Sequence, residues 1–324
     1  MAQTTSAVDI LDSETVDKLL QWKELIPALE VAMTNFSNGA VVQPVRITVP
    51  IEKHNGIMML MPCYTKHEDI LATKIFTAYE NNADKGLPIH QGLVFLFDAE
   101  TGVQKAIMDA EHITAKRTAA ATAVAIKAVV AKEPRILAIL GAGVQAKSHF
   151  EVLTYLYKFN KIRIWNRTRE NAEKLVAEIK ANGYEAEVST TAEEATKNAD
   201  LIVTTTASHT PILKANWVTP GAVVAVIGAN RPTQQEVDPV LMKISAVYVD
   251  SIEAALRESG DIILNDVKIA GEIGELLSGK KKVPRDKTVI IKTLGMAVED
   301  AVSAKLVYDN FLKMKNDEEQ SYYN

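Results

Sequence analysis

The chain has 324 residues, 47% hydrophobic and 24% charged, which fits a globular protein of two ordinary domains and excludes a disordered or fibrous one. A net charge of −5 leaves no basic footprint for nucleic acid, and the local run "GKKKVPRDK" at 279–287 reads as a solvated loop. Cys63 is the single cysteine, so no intrachain disulfide can form, and no apolar run approaches the roughly 20 residues that a membrane helix needs.

The opening "MAQTTSAVDILDSETV" has neither the basic start nor the apolar centre of a secretory leader, and the tail "KMKNDEEQSYYN" carries no lipidation or retention signal; the expectation is a cytoplasmic protein. "VDIL" is a short strand. "SETVDKLL" and "WKELIPALEVAMTNFSNG" have helical spacing, the second stopping at Gly39. Strand-like runs follow in "VVQPVRITVPI", "GIMMLMPCY" and "ILATKIFTAYE", then a hairpin "GLVFLFDAETGVQKAIMD" with its turn at Asp98 to Gly102. Residues 111–131 are Ala-rich and helical until Pro134 breaks the pattern.

From 135 the chain alternates strand and helix, through "ILAIL", "KIRIWN", "EAEVS", "DLIVTTTA", "AVVAVIGA", "VYVD" and "TVIIK". Apolar strands without polar alternation are buried on both faces, which means a parallel sheet covered by helices. The fold class is therefore α/β: a central doubly wound, Rossmann-type parallel sheet plus an α+β substrate and dimerisation domain. The expected boundaries are 119–299 for the first and 1–118 with 300–324 for the second, the last helix packing back on the N-terminal portion.

"LGAGVQA" places Gly141, Gly143 and Ala146 in the spacing of a dinucleotide-binding turn. One glycine allows the turn, the next lets the backbone approach a pyrophosphate, and the alanine lets helix and strand pack closely. Val144 and Gln145 open the helix whose amides face the phosphates. The second strand ends at Trp165, where NAD-specific units carry an acid for the ribose diol. Here the chain reads Asn166, Arg167, Thr168, Arg169, with no acid to repel a 2′-phosphate and a guanidinium to bind one. The cofactor expected is NADPH.

Arg46, Lys74 and Arg117 stand on apolar backgrounds, and each needs a carboxylate partner from the protein or from a ligand. Structural ion pairs and a site for a carboxylate-bearing substrate both satisfy that need. Glu80, Glu253, Glu258, Asp261, Glu299 and Asp300 are the candidate counter-charges. The six histidines form no metal-ligand spacing, so no metal site is expected, and His90 is a proton-relay candidate at a strand entrance.

These segments resemble the ornithine cyclodeaminase/mu-crystallin family nearly end to end, through "LIPALEVAMTNFSNG", "QPVR", "MPCY", "TKIFTAYE", "ITAKRTAA", "LGAGVQA", "IRIWNRT", "EAALRESGD" and "TLGMAVED", and lie nearer its mu-crystallin side than its bacterial cyclodeaminases. The resemblance implies a homodimer that reduces cyclic ketimine carboxylates with NADPH, with a capacity for thyroid hormone binding. It implies Lys74 as the catalytic residue and Arg46, Lys74, Arg117 and Arg231 as substrate ligands. Arg117, Thr118, Gly141, Gly143, Val144, Gln145 and Asn230 are implied on the coenzyme, with Asn166, Arg167 and Thr168 on its 2′-phosphate and Thr205 and Leu294 near the nicotinamide. The expected arrangement has the nicotinamide at the sheet's C-terminal edge facing Lys74 and the substrate carboxylate on Arg46 with Arg117.

The chain departs from the bacterial cyclodeaminases at two carboxylates. It has Met59 two residues before "MP", and Asn230-Arg231 where those enzymes carry an aspartate. Both losses argue against ornithine cyclisation. An alanine dehydrogenase or cyclodeaminase activity, and a non-catalytic NADPH- and hormone-binding protein of crystallin type, stand as the alternatives.

Overall fold

The structure is a computed structural model that describes residues 8–322. The chain divides into two units, one of Met1–Arg117 with Met296–Asn324 and the other of Thr118–Gly295. The breaks fall after Arg117 and Gly295, against the expected 118 and 299.

The first unit opens with β1 (Asp9–Leu11), α1 (Ser13–Leu19) and α2 (Trp22–Ser37). Asp12 caps α1 by accepting from the Thr15 amide at 2.9 Å. In α2, Leu25, Ile26, Leu29, Ala32 and Met33 recur at helical spacing and are buried. Next come β2 (Val41–Val42), β3 (Ile47–Ile51), β4 (Gly56–Thr65), β5 (Ile70–Tyr79), β6 (His90–Phe97) and β7 (Gln104–Asp109). They form a seven-stranded sheet in the order β1-β7-β6-β5-β4-β2, with β3 also paired to β4. All its pairings are antiparallel except β1 with β7. The hairpin turn is at the expected place, where Asp98 accepts from the Thr101 amide at 2.9 Å. The run "VVQPVRITVPI" is two strands rather than one, with Pro44, which lacks a ladder donor, in the break and Arg46 in the loop before β3.

Helix α3 (Glu111–Val129) runs through the Arg117 break. The second unit continues with β8 (Ile136–Leu140), α4 (Val144–Leu156), β9 (Lys161–Trp165), α5 (Arg169–Ala181), β10 (Ala186–Val188), α6 (Ala192–Thr196), β11 (Leu201–Thr204) and β12 (Val223–Val226). Then follow α7 (Pro239–Ile244), β13 (Ala246–Val249), α8 (Ile252–Glu258), α9 (Gly260–Ile263), β14 (Ile269–Glu272), α10 (Ile273–Leu277) and β15 (Val289–Lys292). The eight strands are all parallel, in the order β10-β9-β8-β11-β12-β15-β13-β14, and β11, β12, β13 and β15 are buried along their whole length. The order in which successive strands are added reverses between β8 and β11, so the crevice for a ligand opens at their carboxyl ends. Strand β14 was not expected: it is four residues long, includes Gly271, and has no run of β-branched side chains.

Helix α11 (Ala297–Tyr322) returns to the first unit and lies across β4, β5 and β6. No helix among the described residues is long and apolar enough to cross a membrane.

Candidate functional site

In an antiparallel sheet, residues directly opposite one another share a face. Met61, Lys74 and Val94 are opposite across β4, β5 and β6, and all three are buried. Lys74 is only 1% exposed. Its Nζ donates to Asp300 Oδ1 at 2.7 Å, and Thr114 Oγ1 lies at 3.4 Å. The Phe76 ring centroid is 5.4 Å from the same nitrogen. Arg117, on α3, completes the cluster: Nε donates to Asp300 Oδ1 at 3.1 Å and Nη1 to Glu299 Oε2 at 2.7 Å. One guanidinium thereby spans two carboxylates at the start of α11, a reach that its planar fork permits.

The electrostatics follow from burial. Loss of solvent, then the Arg117 charge, brings Lys74 down from 10.5 to about 8, against the pull of Asp300; Arg46 is near enough to add to the lowering. The lysine is therefore poised to hold or release a proton near neutrality. Cys63, on the same face of β4, goes the other way: burial, then Asp300, pushes its thiol up to about 12, which leaves it no thiolate to use.

The second unit holds the other constellation. Gly141 follows β8 with φ +126°, a backbone open to glycine, and a Cβ there would overlap Thr205 Oγ1. Gly143 is the N-cap of α4, makes no side-chain cap, and has open space where a Cβ would stand. The first amides of α4 are thus uncapped at the carboxyl ends of β8 and β11, beside the Thr205 hydroxyl, which is buried without a hydrogen-bond partner among the described residues. This donor set fits a pyrophosphate.

At the end of β9, Asn166 Nδ2 donates to the Thr168 carbonyl at 2.8 Å, and Thr168 is the N-cap of α5 without a side-chain cap. Arg169 is turned along α5 to Glu173, at 2.8 Å. Arg167 is exposed and has no protein hydrogen bond or ion pair among the described residues, so its guanidinium is available to an anion.

A model of the ornithine cyclodeaminase/mu-crystallin family matches residues 7–315. The chain belongs to this family. It is 48% identical over 301 residues to the ketimine reductase mu-crystallin of Rattus norvegicus, covering 92% of this chain and 95% of that one. Among solved structures it is similar to the Δ1-pyrroline-2-carboxylate reductase of Thermococcus litoralis bound to NADH and L-proline, with TM-score 0.91, 33% identity, and 95% and 98% of the two chains covered. An archaeal alanine dehydrogenase dimer with bound NAD superimposes with TM-score 0.89 at 30% identity, covering 95% of this chain and 97% of its own.

Lys74, Arg117 and, by its field, Arg46 are together in the first unit, and of the six candidate counter-charges Asp300 pairs with Lys74 and both Glu299 and Asp300 pair with Arg117. Glu253 instead pairs with Arg257 on an exposed helix face, and Asp261 accepts backbone amides of the second unit. Expected coenzyme residues stand at the carboxyl edge of the parallel sheet, Gly141 after β8, Thr205 after β11, Asn230 after β12 and Leu294 after β15, and the expected substrate residue Arg231 follows Asn230. Thr118 accepts from the Thr122 hydroxyl at 3.1 Å within α3. His90 is exposed at the start of β6, its ring 6.5 Å from that of Phe76.

Three residues of that edge escaped sequence reasoning. Asp250 Oδ2 accepts from the Leu294 and Gly295 amides at 2.6 and 2.7 Å. Glu236 accepts from Thr204 and Thr206, and Lys292 donates to the Gly228 carbonyl. Lys292 carried the same signal as Lys74, a cation on an apolar background, here at the end of "TVIIK". The two acids follow strand or loop residues where solvation is the default.

Proposed function

We propose that the protein is an NADPH-dependent oxidoreductase that reduces the C=N bond of cyclic imines bearing a carboxylate. The observation that carries this reading is Lys74, a lysine out of solvent with a proton affinity near neutrality, tied to Asp300 beside further arginines. The reading is supported by the 48% identity to a protein named a ketimine reductase and by the likeness to a reductase that binds NADH and L-proline.

The coenzyme supplies the hydride. The uncapped start of α4 with Gly143 holds the pyrophosphate, while Arg167, with the uncharged Asn166 and the open start of α5 at Thr168, holds the 2′-phosphate. No acid at the end of β9 stands against that phosphate, and this is what favours NADPH over NADH. In the other unit, Arg46 attracts the substrate carboxylate, and Lys74 holds the proton that makes an imine the better hydride acceptor. Arg117 has two of its nitrogens on Glu299 and Asp300, so it acts chiefly as the strut that fixes Asp300 under Lys74.

The test is NADPH consumption with a five- or six-membered cyclic imine carboxylate, beside its methyl ester. Saturable turnover of the acid and little of the ester is the expected result. NADPH binding without turnover would replace the reading with a binding protein, and turnover only of pyruvate with ammonia would replace it with an alanine dehydrogenase.

We propose further that the protein is a homodimer through the open face of its antiparallel sheet. The face opposite Lys74 carries an apolar row, Ile47, Leu60, Ile75 and Leu93, across four paired strands. Ile47 and Leu93 at its ends are 49% and 43% exposed in the single chain. A contiguous apolar patch of this kind marks an interaction surface, and the archaeal alanine dehydrogenase that this chain resembles is a dimer.

A further inference from the structure

The carboxyl edge of the parallel sheet contains a second buried charge cluster that none of the roles above uses. Glu236, Asp261 and Lys292 are each 0% exposed, in the loop before α7, on α9 and at the end of β15. Glu236 Oε2 accepts from Thr204 Oγ1 at 2.8 Å, while Oε1 accepts from the Thr206 amide at 2.5 Å and from Thr206 Oγ1 at 2.7 Å. Asp261 Oδ1 accepts from the Glu236 and Val237 amides at 2.8 and 3.0 Å, which fixes the segment that carries Glu236. Lys292 Nζ donates to the Gly228 carbonyl. A carboxylate accepting three hydrogen bonds from one strand end is a clamp on that end.

The clamp closes on a strained turn. Gly228 has no room for a Cβ, which would overlap the Thr206 carbonyl and the Glu236 carboxyl. The next residue, Ala229, has φ +51°, the left-handed region that an alanine adopts only when its surroundings impose it. Its amide donates to the Thr206 carbonyl at 3.2 Å, and the Ile227 amide to the Thr204 carbonyl at 2.9 Å. The segment after β11 and the turn after β12 are thereby locked backbone to backbone. Glu236 is on one side of the lock and Lys292 on the other. Thr205 sits inside the first segment, and Asn230 and Arg231 directly follow the turn.

We propose that Glu236 is a positioning residue: through Thr204, Thr206 and the Gly228–Ala229 turn it holds Thr205 and Asn230–Arg231 in place at the sheet edge, with Lys292 as its buried counter-charge. This rests on the reductase reading, because it is that reading that puts Thr205 and Asn230 on the coenzyme and Arg231 at the substrate. The charged groups acting on Glu236 are Lys292 from β15 and Asp261 from α9. Burial first, opposed by Lys292 and reinforced by Asp261, raises the carboxyl to about 7. Only the ionised form accepts freely at both oxygens, so the clamp tightens as pH rises through neutrality.

The experiment compares wild type, Glu236→Gln and Glu236→Ala in NADPH consumption with a cyclic imine carboxylate between pH 6 and 9. It adds NADPH binding by fluorescence and amide hydrogen exchange. Gln keeps one acceptor oxygen, puts an N–H donor in place of the other and takes one of the two negative charges away from Lys292, whereas Ala removes both acceptors and the charge. In the Gln variant kcat falls about tenfold and in the Ala variant about a hundredfold, with NADPH affinity and imine KM within about threefold of wild type. The rise of kcat through about pH 7 disappears in both. Exchange quickens in 204–209 and 227–235 and not in β8 or β9.

Wild-type kinetics, pH profile and exchange in the Gln variant would overturn the proposal. So would equal loss of kcat and NADPH affinity with faster exchange throughout, which marks a merely structural residue. Wild type that binds NADPH without turnover would overturn the reductase reading instead, and the exchange pattern then decides the clamp alone: localised loosening supports it, and unchanged or global exchange refutes it.

Discussion

Lys74 offers the most direct test of the electrostatic argument. Its proton affinity drops from 10.5 to about 8 in the folded chain, which at ~1.4 kcal/mol per pH unit is roughly 3 kcal/mol of work against the charged form. The unfolded lysine keeps its proton up to about 10.5, so between pH 8 and 10.5 the unfolded state binds more protons and stability rises with pH. The contribution is fully present above 10.5 and is lost as pH falls through about 8. Lys74→Met removes it while leaving Asp300 its 3.1 Å bond to Arg117 Nε. Urea unfolding of both proteins at pH 7.5 and at pH 10.5, as a difference of differences, isolates the lysine from every other titrating group. Relative to the variant, the wild type should gain about 3 kcal/mol on going to the higher pH. Catalysis should show the counterpart, kcat falling as pH rises through about 8 in the wild type. A stability difference that does not change with pH would refute the claim that this lysine is held charged at a cost.

Other substitutions probe the remaining assignments. Arg117→Lys trades a fork that reaches Asp300 and Glu299 together for one point charge; leaving a buried carboxylate without its ion pair should cost about 3 kcal/mol, read as a lower urea midpoint. Arg167→Ser should weaken NADPH roughly tenfold or more while leaving NADH within about twofold, measured as the ratio of dissociation constants, since a charge-assisted contact to phosphate is worth about 1.5–3 kcal/mol. Ile47→Asp combined with Leu93→Asp puts two charges into the apolar row of the open sheet face and should give a monomer in sedimentation equilibrium. Dimers of the double variant would place the interface elsewhere.

What could be read in the sequence depended on how local the determinant is. The turn at Gly141 and Gly143 and the ending at Asn166–Thr168 are decided within a few residues of strand, and both stand where their spacing put them. The seven expected strands of the second unit are likewise present because each is a short apolar run. Their lateral order is another matter. β15 enters between β12 and β13, and nothing within either strand specifies that neighbour, because a parallel pairing is set by the crossover that delivers it. In the first unit the three stray cations posed a question that the sequence could not answer. The carboxylate that holds Lys74 is 226 residues away, and Asp300 stood as one of six candidate counter-charges with nothing local to single it out, since the helix dipole alone also favours an acid in the first turn of a helix.

That helix-dipole reading and the buried pair together explain why α11 begins as it does. Glu299 and Asp300 are both 0% exposed, so the dipole is a minor reason for them and the cations beneath are the major one. The same logic applies at the other cluster, where Lys292 is as buried as Lys74 and faces Glu236 and Asp261. A buried ion cluster is a poor way to stabilise a fold, since apolar residues of the same volume do as well or better. Each cluster also fixes backbone that sits beside a proposed ligand: the start of α11 against β5 in one unit, and the strained turn at Ala229 against β11 in the other. Two independent clusters built at stability's expense, each beside residues assigned to binding, are better explained by positioning than by packing. On that argument the chemistry depends on Asp300 and Glu236 as much as on the groups they hold, and neither acid can be exchanged for an apolar residue without loosening the group it orients.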